Sequence, residues 1–206
     1  MKKILQIIIA LLIVKQSTAQ TKFFSYGIKA GLSVGKIAIL PPLQNRSEHY
    51  GVGFVAGGVT QFAIAKKLKI QIEPLYILNN SSLKFNPSPG DVNEIDLSLH
   101  QISLPVQISY SIIPTVSLNA GVSGNYNFYF SQKVMRDFGA NPSFNITDEI
   151  VKFQSGLLGG VTFYSKNIFI DARYNRMLGN LFIQQSEYDQ TEYHLVNFQL
   201  SVGYRF

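Results

Sequence analysis

Three histidines, His49, His100 and His194, are spread along the 206 residues, and carboxylates lie close to each. Glu48 adjoins the first, Asp91, Glu94 and Asp96 precede the second, and Glu187, Asp189 and Glu192 precede the third. Imidazole with carboxylate is a ligand set for a divalent cation. However, no two of these histidines stand at ligand spacing, so ordinary solvated polar side chains are the stronger expectation. Ser47 with His49, and Ser98 with His100, are i, i+2 pairs. In an extended strand such pairs share a face, which permits a Ser–His nucleophile. Catalysis would also need a third group to orient the base, and serine is common enough here for chance pairing. No glycine-rich phosphate loop or HExxH signature is present. The chain has no cysteine, which removes thiolate ligands and disulfides. No catalytic residue, metal or cofactor is therefore expected, and the protein is not expected to be an enzyme.

A second set of charged residues recurs in strand-like surroundings: Lys29, Lys69, Glu73, Asp171, Arg173 and Arg205. Apolar side chains flank most of them, so alternation puts the charges on the face opposite the apolar one. Four cations and two carboxylates on one face, if enclosed, must pair or incur a large desolvation cost. They are expected to form a structural ion network with Glu73 and Asp171 among the basic groups. A selectivity ring for a channel is the competing reading.

The segments that carry these residues alternate with period two. Strand-like stretches run over about 24–34, 50–64, 68–78, 95–112, 115–130, 152–164 and 168–177, and over the last ten residues. In that closing stretch Phe198, Leu200, Val202, Tyr204 and Phe206 share one face, opposite Asn197, Gln199, Ser201, Gly203 and Arg205. An apolar face ending in aromatics opposite a polar face is the pattern of a membrane-spanning strand. Pro74 is awkward in mid-strand and predicts a local bulge. The connections alternate: long loops at 35–49, 79–94, 131–151 and 178–194, and tight turns at 65–67, 113–114 and 165–167. Short periplasmic turns and long outer loops characterise outer-membrane barrels. Aromatics fall into two belts, Phe24, Tyr26, Phe62, Tyr110, Phe163, Tyr204 and Phe206 at one rim, and Tyr50, Tyr76, Tyr126, Phe128, Phe153, Tyr174 and Phe198 at the other. The expected fold is all-β: an eight-stranded antiparallel up-and-down transmembrane β-barrel. The first and last strands would pair to close it.

Composition agrees with this. Charged residues make up 15% of the chain, against about 25% in soluble domains. Met1-Lys2-Lys3, the apolar run Ile4–Val14 and the small residues Ser17-Thr18-Ala19 form a signal-peptide pattern with cleavage after Ala19. The apolar run is too short for the roughly 20 residues of a spanning helix. Residues 1–19 are thus read as a cleaved signal peptide and 20–206 as one barrel domain. Without Lys2, Lys3 and Lys15, 15 basic residues face 12 acidic ones, and no basic stripe or RNA-binding motif remains. Nucleic acid is not an expected partner. A soluble lipocalin-like barrel would need a charged outer face, whereas the polar faces here are mainly Gly, Ser, Asn and Gln.

Four stretches in order resemble one family, the PorT-like outer-membrane β-barrel proteins of Bacteroidetes. Gly27-Ile28-Lys29-Ala30-Gly31-Leu32-Ser33 resembles their GxKxGLN-type opening strand, with Ser33 where Asn is common. Ile102-Ser103-Leu104-Pro105-Val106, Asp171-Ala172-Arg173-Tyr174 and the closing stretch 198–206 resemble their fourth, seventh and last strands. The resemblance implies an outer-membrane barrel, with some relatives similar to assembly or secretion accessory factors, and no catalytic motif. The expected protein has a filled, non-conducting lumen and acts through outer loops or as an envelope accessory. Expected partners are outer-membrane lipid or lipopolysaccharide, the barrel-assembly machinery during insertion, and an envelope protein. A rim hydrolase acting on lipid or peptide, and a narrow solute channel, are the alternatives.

Overall fold

A computed structural model describes residues 23–40, 46–85, 92–136, 141–183 and 191–206. The expected signal peptide lies outside the described residues. Ten strands follow in chain order: β1 (Phe24–Leu40), β2 (Arg46–Ala65), β3 (Leu68–Ile72), β4 (Leu75–Phe85), β5 (Val92–Ile113), β6 (Val116–Arg136), β7 (Ser143–Asn145), β8 (Phe153–Ser165), β9 (Ile168–Met177) and β10 (Glu192–Arg205). β3 and β4 form one wall strand interrupted at Glu73-Pro74, since both pair with β2 on one side and β5 on the other. Proline has no N–H for the ladder. Its neighbours keep the seam closed: the Gly58 N–H donates to the Pro74 carbonyl at 3.0 Å, and the Glu73 N–H to Pro105 at 3.1 Å. β7 is a short addition beside β6.

Eight wall strands therefore form a ring, β1–β2–β3/β4–β5–β6–β8–β9–β10. β10 returns to β1 in antiparallel register from Gly27 opposite Arg205 to Leu40 opposite Glu192. Closure leaves no unpaired edge in the eight-strand wall, which is what a sheet in hydrocarbon requires. Among the described residues no helix is long and apolar enough to cross a membrane; the strands do so. The apolar faces look out: Leu118 is 47%, Val122 55% and Phe198 46% exposed, while Ser33, Ser103, Asn127 and Gln199 are buried inside. An apolar face turned inward along the whole wall, as in a soluble lipocalin-like barrel, is excluded.

Two features differ from the sequence reading. The strands are taller: β1 continues past Val34 to Leu40, β4 runs to Phe85, and β6 to Arg136. Three of the four expected long loops thus begin well beyond their expected positions. In addition, the upper lumen is apolar. Ile37, Ile39, Leu83, Leu97, Leu99, Phe130, Met177 and Leu195 pack there with Ile150 and Leu181 from the connections. The cause is visible along β5. Its inward residues change from Ser109, Gln107, Ser103 and Gln101 to Leu99 and Leu97. Its outward residues change from Ile108, Val106, Leu104 and Ile102 to His100, Ser98, Asp96 and Glu94. The alternation persists while its polarity inverts. Lipid surrounds the lower wall and water the upper wall, so apolar side chains face out below and in above.

Candidate functional site: the lumen and its mouths

Midway down the lumen, four of the six charged residues singled out above meet. Lys29 projects from β1, Glu73 from the break between β3 and β4, and Asp171 and Arg173 from β9. Lys29 Nζ lies 2.8 Å from Glu73 Oε2 and 3.3 Å from Asp171 Oδ1. The Arg173 guanidinium grips Glu73 through both oxygens, Nη1–Oε2 at 2.8 Å and Nη2–Oε1 at 3.0 Å, and its Nη2 reaches Asp171 Oδ1 at 3.1 Å. All four side chains are at most 1% exposed. Two positive and two negative charges cancel, which is the condition under which buried ions are tolerated. Neutral donors take remaining lone pairs: Gln107 and Gln71 donate to Glu73 Oε1, the former at 2.9 Å, and Thr162 donates to Asp171 Oδ2 at 2.8 Å.

Above this quartet lies a layer of amides. Asn79 donates to Gln101 at 2.6 Å, Gln101 to Asn127 at 2.5 Å, Asn127 to Gln154 at 3.1 Å, and Asn197 back to Asn79 at 3.1 Å. The apolar cluster follows. Over it the β8 and β9 flanks are tied together, with the Val151 N–H donating to Leu181 and the Leu181 N–H to Tyr193, each at 2.8 Å. Ions, amides and apolar side chains therefore block the axis in series.

Lys69 and Arg205 do not join the quartet. Lys69 lies four residues before Glu73 on an extended chain, roughly 13 Å away at the usual rise. Arg205 pairs with Gly27, short of Lys29. Both sit at the mouth between the tight turns, where Lys69 Nζ is 5.3 Å and Arg205 Cζ 5.2 Å from the centre of the Tyr164 ring. Tyr164, which sequence reasoning passed over, faces inward. Its hydroxyl accepts from Gln61 at 2.9 Å and its ring packs on Phe169. Its place beside outward-facing Phe163 was the available signal.

The histidines lie on separate strands and do not converge. His49 Nε2 is 3.1 Å from Ser47 Oγ, and both are exposed. His100 Nδ1 is 2.7 Å from the Tyr76 hydroxyl, in an aromatic group with Phe128 and Tyr129, rather than bonded to Ser98. His194 pairs with Glu192 at 2.8 Å. Among the described residues no three potential ligands gather around a metal position. Near the outer rim Lys36 pairs with Glu48 at 3.0 Å, and its ammonium stands 5.4 Å from the Tyr50 ring.

A closed ring of eight strands, with an aliphatic belt facing outward between aromatic girdles and a lumen sealed by its own side chains, defines a transmembrane β-barrel. The chain belongs to the outer membrane protein beta-barrel domain family, whose profile matches residues 16–183. It is thus an outer-membrane protein. Solved structures similar to it include Ail, the attachment invasion locus protein of Yersinia pestis, bound to the heparin analogue sucrose octasulfate. That likeness has a TM-score of 0.50 at 17% identity and covers 89% of this chain and 99% of that one. Neisserial surface protein A is similar with a TM-score of 0.48 at 14% identity, covering 88% and 97%. The Escherichia coli outer membrane protease OmpT is similar with a TM-score of 0.41 at 9% identity, covering 93% and 99%. No curated protein matches the chain in sequence.

Proposed function

We propose that this is a non-enzymatic outer-membrane barrel with a structural, non-conducting lumen. Its activity resides in the strand extensions and connections that stand above the membrane, where it serves as an envelope or secretion accessory. Export through the signal peptide at 1–19, insertion by the barrel-assembly machinery, and contact with outer-leaflet lipid or lipopolysaccharide belong to the same reading. The resemblance to PorT-like proteins supports the accessory role. The observation that carries the proposal is the lumen filled in series, from the Lys29–Glu73–Asp171–Arg173 quartet to the apolar cluster around Phe130. A pore cannot conduct through neutralised, fully buried charges. The Ser47–His49 pair is not favoured as a catalytic site, because among the described residues no carboxylate bonds to the histidine.

Planar bilayers containing the purified protein test the lumen. No discrete conductance steps are expected, and reproducible steps would overturn the sealed axis. For the upper surface, a photo-crosslinker at exposed Phe144 in intact cells is expected to capture an envelope protein or lipopolysaccharide. Capture only from positions in the tight turns would move the activity to the other end.

A further inference from the structure

The charges of this protein are distributed unevenly along the barrel axis. Among the described residues, Glu48, Glu94, Asp96, Asp148, Glu149 and Glu192 lie in the upper wall and its connections, and Glu73 and Asp171 lie in the neutral quartet. The remaining acids, Asp91, Asp137, Glu187 and Asp189, belong by sequence to the outer connections. The end that carries the tight turns holds Lys66, Lys67, Lys69, Lys166 and Arg205 and no described side-chain carboxylate. This end faces the periplasm, because short turns are the periplasmic connections of such barrels.

Three of these cations, Lys66, Lys69 and Arg205, line a cavity of about 770 Å³ that opens at the periplasmic mouth, with Asn167 also in its wall and Phe23 and Phe206 at its rim. Lys69 and Arg205 both lie against the Tyr164 ring inside the mouth. Among the described residues neither has a carboxylate at ion-pair distance. Among the described residues the Arg205 side chain donates to the Lys166 carbonyl, at 3.3 Å. Two like charges beside one ring repel each other unless an anion lies between them. Elsewhere in the lumen side-chain carboxylates supply such anions, as Glu73 and Asp171 do for Lys29 and Arg173; at this mouth no described side-chain carboxylate does so. A cleft lined by one sign of charge and walled by low-dielectric protein concentrates counter-ions. A guanidinium fork beside an ammonium suits a phosphate group.

We propose that the periplasmic mouth is a binding site for a phosphate-bearing anion, held by Lys69 and Arg205 with Lys66 at the rim. Three cations favour a phosphate group, whether free or esterified, over a single carboxylate. The phosphate is carried either by a soluble periplasmic solute or by a phospholipid headgroup of the inner leaflet.

Calorimetric titration of the full-length protein in neutral detergent, with inorganic phosphate as the probe, tests this. Saturable binding that weakens with added salt is expected. Loss of one charge-assisted contact predicts about tenfold weaker binding in Lys69→Gln and in Arg205→Gln. Lys69→Arg should retain binding, and Lys84→Gln at the opposite end should leave it unchanged. Heat-modifiable gel mobility verifies that each variant is folded. If Lys69→Gln does not fold, Lys66→Gln in the exposed turn takes its place, with a smaller loss expected. Absence of saturable binding, or equal binding by the Lys69→Gln/Arg205→Gln double variant, would overturn the site. Nanodiscs then identify the source. Phosphate binding suppressed by phosphatidylglycerol relative to phosphatidylcholine assigns a headgroup, and unchanged binding assigns a soluble phosphate; either result requires the site.

Discussion

Removing the Glu73 carboxylate would leave Lys29 and Arg173 sharing Asp171 alone, with a net positive charge buried in the lumen. Breaking a buried ion cluster from one side costs about 3–5 kcal/mol. Glu73→Gln should therefore lower stability by that amount in urea unfolding from lipid vesicles. Lys84→Gln, which removes the partly exposed 3.9 Å contact to Glu94, should cost under about 1 kcal/mol. Equal effects from the two substitutions would show that the quartet carries no special weight. The face on which these charges lie was legible in the sequence, because each occupies an alternate position among apolar residues. Which cations would meet which carboxylates was not legible. Lys29 lies 142 residues from Asp171, and Arg173 lies 100 from Glu73, so only the closure of the ring and its stagger bring four of the six together.

At the scale of elements, the β1–β10 seam is the step that turns a sheet into a barrel. Gly31 lies on it, and a Cβ there would come 2.1 Å from the Leu200 carbonyl oxygen and 2.4 Å from Ser201 Cα. Since backbone atoms cannot yield as a flexible side chain would, Gly31→Ala should reduce the fraction that reaches the heat-modifiable folded form. Full folding of that variant would mean that the seam tolerates more separation than its register implies. On the lipid side of the same seam, Leu200 is 48% exposed. Leu200→Arg should cost about 2–4 kcal/mol if that position lies near mid-membrane, measured by the same urea unfolding. A negligible cost would place Leu200 out of the hydrocarbon. Strand existence, order and facing were readable from period-two alternation. The upper ends were not legible as outward-apolar strands, because their apolar residues face in. The run Glu94-Ile95-Asp96-Leu97-Ser98-Leu99-His100 continues the alternation with the opposite polarity, and that inversion was the signal for a strand emerging from the membrane.

Among the described residues the barrel has two unlike ends: a tall wall that carries acidic side chains and a short mouth whose charged side chains are all cationic; the proposed orientation puts the mouth in the periplasm. The absence of native cysteine makes this orientation testable with single introduced thiols. Lys84→Cys should react with a membrane-impermeant maleimide on intact cells, whereas Lys166→Cys should react only after the outer membrane is permeabilised. The reverse order would invert the molecule and relocate the phosphate site to the cell surface.

Sequence alone determined the architecture, because a strand in lipid must show its apolar side chains on alternate positions and must close with its neighbours. That requirement is local and repeats in every segment. It also determined the charge asymmetry, since every acid except Glu73 and Asp171 lies in or beside one of the long connections. Tertiary structure decided what fills the axis. Ion pairs, the amide layer and the apolar cluster join residues far apart in the chain, and their meeting depends on strand stagger and on the level at which water replaces lipid around the wall.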